Sequence, residues 1–169
     1  GKEMRSLFIA PEGKVLVGCD LASAQLRLLA SAMEDPDYVD IVTTGREEDG
    51  TDVHTVNQKA VGLKNRSQAK TFIYGFLFGA SAAKLGSIIG GKSKEGAVLK
   101  TKFLKRFPLL RELQNRLISE FTRSGSKFII AQDGRRIQVD SEHKLLNYLL
   151  QGNEAILAKE WAIVSDSLI

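Results

Sequence analysis

Residues 66–79 read Arg66-Ser-Gln-Ala-Lys70-Thr-Phe-Ile-Tyr74-Gly-Phe-Leu-Phe78-Gly79. Positions 66, 70, 74 and 78 recur every four residues, the spacing at which side chains share one slowly drifting face of an α-helix. The stretch therefore predicts a helix over 66–78, closed by Gly79, with two cations and then two aromatic rings on that face. One turn apart, the cations suit successive phosphates of a polyphosphate: Arg66 can bind bidentately and Lys70 acts as a point charge. Their position near the helix N-terminus adds the backbone dipole, which favours anions. The rings of Tyr74 and Phe78 offer a surface for stacking on a sugar or base. An amphipathic core helix with buried aromatics and snorkelling cations fits the same pattern. Against that alternative, two cations on an aromatic stripe repel each other unless they share an anion.

Working outward, residues 14–19 (KVLVGC) predict a short strand buried on both faces. Residues 5–10 (RSLFIA) would be its partner, across a turn at Pro11-Glu12-Gly13. The pattern over 23–33 is helical, with Ser23 as N-cap. Residues 34–50 are acidic and turn-rich, a loop with one short helix, and Asp52 caps a helix that runs through Val61. Downstream, residues 82–89 form a short helix ended by Gly90-Gly91. Two longer helices follow over 94–107 and 109–123, with Pro108 suited to the first turn of the second. Over 127–139 the period changes, and Asp133-Gly134 between two β-rich runs predicts a type I′ hairpin. A last long helix starts near Ser141. The fold class is α+β and mostly helical.

Two further features carry chemistry. Asp20 directly follows the expected strand, where a rigidly held carboxylate suits Mg²⁺, commonly bound by one or two carboxylates plus substrate phosphates. A helix-capping Asp is the alternative. His143, Asn147 and Gln151 lie four apart, and a face of amides carries both donors and acceptors for base edges in a shallow groove. A solvated polar stripe is the alternative there.

Composition sets the outer limits. The 169 residues are about one domain, 43% hydrophobic and 26% charged. No apolar run approaches the ~20 residues of a membrane span, so no membrane partner is expected. Nothing at the N-terminus has the order of a signal peptide. The lone Cys19 excludes an internal disulfide and a Cys-rich zinc cluster, and points to a reducing, cytosolic setting. Net charge is +4, but unevenly spread: eight acidic residues lie between Glu34 and Asp52, with Arg46 as their sole counterweight. Between Lys92 and Arg106 there are six basic residues against Glu95. Such a basic stretch suits a phosphate backbone, or is a solvated helix face.

Taken in order, these segments resemble the family A DNA polymerases, the class of bacterial DNA polymerase I and several phage replicases. Gly18-Cys-Asp20-Leu-Ala-Ser23-Ala-Gln25-Leu-Arg27-Leu-Leu-Ala30 resembles motif A, and residues 66–79 resemble motif B, the O helix of the fingers. The similarity takes in GKEMRSLFIAPEG, DVHTVNQ, DGRRIQV and LLNYLLQGNEA, nearly the whole chain. TFIYGFLFGAS favours the phage-replicase branch, which implies a phage-encoded protein in the cytoplasm of a bacterial host. The implied organisation is a palm segment over 1–33, fingers over 34–126, and a palm hairpin with a long helix over 127–169.

The resemblance also implies roles. Asp20 would hold two Mg²⁺ ions, with the Leu21 carbonyl as a further ligand. Ser23, Gln25, His54, Arg66, Lys70 and Tyr74 would bind the incoming dNTP. Lys70 would also be catalytic, protonating the departing pyrophosphate. Phe78, Gly79, Arg135, His143, Asn147 and Gln151 would meet the primer–template DNA. The reaction would be attack of a primer 3′-hydroxyl on the α-phosphate, helped by two metals, with a processivity factor as a further partner.

Two departures qualify that expectation. The family usually has Glu at the position of Gln25, a gate against a 2′-hydroxyl that bonds to a Tyr hydroxyl. Here the corresponding aromatic is Phe78, so a neutral amide avoids a buried, unpaired charge, and weaker exclusion of ribonucleotides is expected. The family's motif C, a His-Asp-Glu turn that brings a second metal-binding carboxylate, has no counterpart: no His-Asp pair occurs, and Asp166 comes too early. The isolated chain is therefore expected to be nearly inactive until a C-terminal segment or partner chain supplies that turn. A dNTP- or DNA-binding fragment, or a subunit of a split polymerase, is the alternative. Exposed apolar edges and self-association are expected of such a palm.

Overall fold

The computed structural model describes residues 2–18 and 20–167. Among them are nine α-helices and a two-stranded antiparallel sheet, in keeping with an α+β class in which helices dominate. The helices are α1 (Lys2–Arg5), α2 (Ala24–Met33), α3 (Pro36–Thr44), α4 (Val53–Val61), α5 (Arg66–Leu77), α6 (Ala82–Ser87), α7 (Ser93–Arg106), α8 (Pro108–Arg123) and α9 (Leu145–Asp166). Strands β1 (Phe128–Ile130) and β2 (Arg136–Gln138) pair in the register Phe128↔Gln138, Ile129↔Ile137 and Ile130↔Arg136.

Local chemistry sets the helix starts. Asp35, Asp52, Asn65 and Ser81 each accept a backbone N–H of the helix that follows, from Tyr38, His54, Gln68 and Lys84 respectively, satisfying donors that the first turn leaves open. Pro36 and Pro108 sit at first helical positions, where a missing N–H is harmless. The acidic 34–50 segment thus contains α3, the one short helix anticipated there. Ser23 stands at the start of α2 in the left-handed region, with φ 55°, and makes no side-chain cap. It is an N-cap in position alone.

One hydrophobic core joins α2–α9 and the hairpin, centred on Leu26, Leu29, Ile73, Leu110, Ile129 and Leu150. An aromatic cluster fastens α3, α5 and α7: Phe103 meets Phe72, Phe76 and Phe107 edge-on at 5.6, 5.1 and 5.0 Å, and Phe107 meets Tyr38 at 5.2 Å. Burial pushes the Tyr38 phenol up to about 12, and its oxygen accepts a hydrogen bond from Asn57 Nδ2 at 3.2 Å. The α6–α7 joint is closer still. A Cβ on Gly86 would run into the Lys92 carbonyl, and one on Gly96 into the Ala82 carbonyl, so backbone meets backbone there.

Two expectations are corrected. Residues 14–18 form no strand; Val15, Leu16 and Val17 are 82%, 66% and 89% exposed. Their expected partner, residues 5–10, is no strand either: Arg5 ends α1, a turn follows, and Leu7, Phe8 and Ile9 are exposed. Cys19 lies outside the described residues. The turn between them does form, with Lys14 N–H donating to Pro11 O at 3.0 Å. Apolar residues make a strand only against a ladder partner, and among the described residues nothing pairs with either run. The hairpin turn also differs. Ala131 N–H donates to Arg135 O, leaving Gln132, Asp133 and Gly134 as a three-residue loop. Only Gly134 has positive φ, at 84°, whereas type I′ needs it at both central residues.

Candidate functional site

The N-terminal ends of α4 and α5 converge with the start of α2 on an open cleft lined by Ser23, Arg27, Glu47, Asp52, His54, Arg66 and Lys70. Asp52 organises it. Its carboxylate caps α4 through His54 N–H and accepts from the Thr55 hydroxyl, while Arg66 Nε and a terminal guanidinium nitrogen lie 3.1 Å from Oδ1. The second contact of Arg66 is Glu47, at 3.1 Å from Oε2. Burial opposes ionisation of Asp52, but the bonds from Thr55, His54 and Arg66 outweigh it and hold the carboxyl below the usual range.

This arrangement revises the argument from charge repulsion. Arg66 does not await an external anion; Asp52 and Glu47 already neutralise it. Lys70 is different: exposed, with no ion pair among the described residues. The pair is thus one engaged cation and one available cation on the same helix face.

His54 is buried at the cleft floor, with Nδ1 lacking any hydrogen-bond partner among the described residues. Burial, and then the Arg66 guanidinium, push its pKa below the ordinary value, with Asp52 pulling the other way and Lys70 adding to the depression. The imidazole is therefore neutral near pH 7. Its ring stands 6.2 Å from that of Tyr74, which stands 6.1 Å from that of Phe78. The stripe read from the sequence is continuous, with Tyr74 half-buried and Phe78 43% exposed. Burial, and then the nearby Glu154 carboxylate, raise the Tyr74 phenol.

Gln25 leaves α2 towards α9, where Nε2 donates to Glu154 Oε2 at 2.8 Å. Asp20 and Leu21 lie in the exposed lead-in to α2. Among the described residues no strand leads into Asp20, so the rigidity expected of it does not arise from a sheet there. Among the described residues no three His, Cys, Asp or Glu side chains cluster closely enough to hold a metal ion.

Of the residues expected to face DNA, Gly79 and His143 meet at the far end of α5. Gly79 has φ 73°, and a Cβ there would come 2.7 Å from the His143 carbonyl, so the two residues are in direct contact. His143 sits in a 3-10 turn, with Nδ1 2.6 Å from the Ser141 hydroxyl, and α9 begins only after it. Asn147 is half-buried with an unpartnered side-chain carbonyl, and Gln151 is exposed one turn on. Arg135 closes the hairpin loop and pairs with Asp133 at 2.6 Å. The basic side chains from Lys92 to Arg106 are all exposed.

Sequence reasoning missed Glu47 and Glu154, and read Asp52 as a cap alone. Glu154 was findable in principle, standing three residues after Gln151 and seven after Asn147 on one helical face. The Arg66–Glu47 pair joins a loop to a helix and leaves no periodic signal.

A family model described as DNA polymerase family A matches residues 1–166. The chain is 34% identical over 170 residues to the DNA-directed DNA polymerase of Enterobacteria phage T3, covering 92% of this chain and 23% of that protein. To the DNA-directed DNA polymerase of Escherichia phage Phieco32 it is 40% identical over 140 residues, covering 79% and 21%. DNA polymerase I of Aquifex aeolicus is 27% identical over 175 residues, covering 98% and 30%. The chain thus spans under a third of the length of these relatives. Among solved structures, the POL domain of Pol1 from M. smegmatis, in complex with DNA primer-template and dNTP, matches with a TM-score of 0.69 at 21% identity. That match covers 88% of this chain and 30% of the other, a likeness of fold. No helix among the described residues is long and apolar enough to cross a membrane.

Proposed function

The chain belongs to DNA polymerase family A, and on that premise we propose that it forms the palm and fingers portion of a template-directed DNA polymerase. Residues 1–33 and 127–169 would belong to the palm, and 34–126, with α5, to the fingers. The observation that carries this reading is the cleft in which Ser23, His54, Arg66 and Lys70 converge at two helix N-termini, geometry suited to a triphosphate.

In this reading Lys70, the available cation, meets the β- and γ-phosphates first. Arg66 then exchanges Glu47 for phosphate oxygens, with Asp52 keeping its guanidinium oriented. The neutral His54 imidazole offers an N–H without adding a full charge beside two cations. Tyr74 lies against the sugar and Gln25 flanks it, while Phe78, Gly79, Arg135, His143, Asn147 and Gln151 face the primer–template DNA. The primer 3′-hydroxyl gives up its proton to solvent as its oxygen bonds to the α-phosphorus and the bond from that phosphorus to the oxygen bridging to the β-phosphate breaks, and Lys70 supplies a proton to the departing pyrophosphate.

Two Mg²⁺ ions belong to this reading by family, with Asp20 and the Leu21 carbonyl as ligands. One exposed carboxylate falls short of the oxygen set that Mg²⁺ takes, and the described residues gather no group of three His, Cys, Asp or Glu side chains around a metal position. That shortfall favours a second reading, in which the chain recognises dNTP or DNA and chemistry needs a carboxylate from elsewhere.

Titration of the chain with dNTP tests the first claim. Arg66→Ala and Lys70→Ala should each weaken binding by about tenfold, since a hydrogen bond to a charged group contributes ~1.5–3 kcal/mol. Binding by the two variants as tight as by the unmodified chain, or no binding by the unmodified chain, would overturn it. Primer extension on adding a C-terminal piece that carries a His-Asp-Glu turn separates synthesis from binding alone.

A further inference from the structure

Gln25 is held in an unusual way. Its Nε2 donates to Glu154 Oε2 at 2.8 Å, while Oε1 of the same amide is buried and has no partner among the described residues. An amide set there for helix packing alone would satisfy both ends, because a buried, unpaired acceptor costs about 1–3 kcal/mol. It cannot simply flip. Turning Oε1 towards Glu154 would bring lone pairs against a carboxylate. The charge-assisted bond to Glu154 thus fixes the side chain against its own hydrogen-bonding preference.

Both ends of this pair are on rigid supports. Leu26 and Leu29 of α2 are fully buried. On α9, the buried neighbour Asn153 accepts the Gln132 N–H at 3.0 Å and ties that turn to the hairpin. Glu154 also stands near enough to Tyr74 to act on its phenol. One carboxylate therefore addresses both the side chain flanking the sugar and the ring lying against it.

We propose that Glu154 is a positioning residue for sugar selection, holding Gln25 in the single orientation in which it excludes a ribonucleotide's 2′-hydroxyl. The inference rests on the reading of Gln25 and Tyr74 as the sugar side of a dNTP site. It assigns from α9 the carboxylate that α2 lacks. Gln25→Glu alone would then set two carboxylates against each other, and the swap Gln25→Glu with Glu154→Gln would restore a charge-assisted bond of reversed polarity.

The test is the ratio of dissociation constants for rNTP and dNTP, measured on the full chain alongside thermal unfolding. Glu154→Ala should lower that ratio by about tenfold, the scale of one hydrogen bond to a charged group, and leave dNTP affinity nearly unchanged. The near-isosteric Glu154→Gln should lower it less, Gln25→Glu should lower it too, and the swap should recover it. An unchanged ratio in Glu154→Ala and Glu154→Gln, or an equal loss of both affinities, would overturn the proposal. If Glu154→Ala fails to fold, Glu154→Gln and the swap decide. Failure of the unmodified chain to bind dNTP defeats the site reading itself, visibly and without any variant, and this inference falls with it.

Discussion

Arg66 donates to Asp52 from the first turn of α5 to the cap of α4, with its Nε 3.1 Å from Oδ1. Helix α5 is thereby fixed to its neighbour at the end that faces the cleft. The same guanidinium reaches Glu47, which is 65% exposed. Glu47 and an incoming phosphate would compete for it. Glu47→Gln should therefore tighten dNTP binding a few-fold, the effect expected of a mostly exposed ion pair. Asp52→Asn should instead weaken binding and lower the melting temperature, since it loosens both the cap and Arg66. Calorimetric titration and thermal unfolding of the two variants check this contrast; matching behaviour would contradict it.

His54 predicts a pH dependence. Its pKa is lower folded than the ordinary 6.5, so the unfolded chain binds its proton first as pH falls. Stability from this residue is complete above about 6.5 and declines below that value, down to the folded pKa. The depressed Asp52 carboxyl acts in a lower window: its contribution is present above its unfolded value of 3.8 and lost as pH drops through the folded value. Acid unfolding should therefore begin with His54. His54→Phe should flatten the stability profile just below pH 6.5 while leaving the loss that Asp52 brings at lower pH. Melting curves across that range provide the measurement.

The aromatic and capping logic of the chain was legible before the fold was. The four-residue recurrence at 66–78 marked α5 to within a residue of its end, and Asp52 was recognisable as a cap because a short acceptor before an apolar-periodic run has few other uses. Residues 14–19 misled. KVLVGC has strand composition, but a strand is a property of two segments, and composition cannot supply the second. The polar partners of Arg66 and Gln25 were illegible for a related reason: Glu47 and Glu154 are 19 and 129 residues away in sequence, and an ion pair or amide bond leaves no period to read.

Exposure of the 7–9 and 15–17 segments predicts association. Leu7, Phe8, Ile9, Val15, Leu16 and Val17 expose between 66% and 89% of their surface, and contiguous apolar exposure drives self-contact. The isolated chain should elute as a concentration-dependent oligomer in size-exclusion chromatography with light scattering. A Leu16→Lys, Val17→Lys variant should shift it towards monomer without changing its melting temperature by more than a few degrees. A sharp monomer at every concentration would rule this out.

The α6–α7 joint predicts a severe glycine substitution. Gly96→Ala would drive a methyl group into the Ala82 carbonyl, backbone that cannot step aside. Overpacking of this kind costs about 1–3 kcal/mol or more, or some 2–12 °C in melting temperature for a domain of this size. Gly90→Ala, where nothing lies within 4 Å, meets only its positive φ of 72° and should cost about 1–2 kcal/mol. Reversal of that order in thermal unfolding would refute the backbone-contact account.

Because Gly86 and Gly96 join α6 to α7 through main-chain atoms, the hold between these helices owes little to the residues on their outer surfaces. The lysines of α7 are thus free to drift: Lys94, Lys100, Lys102 and Lys105 are all exposed, and none of their side chains is part of the joint. Charge along this edge can be raised, lowered or rearranged over generations while the helices keep their alignment, so its affinity for a polyanion is tunable independently of whether the chain folds.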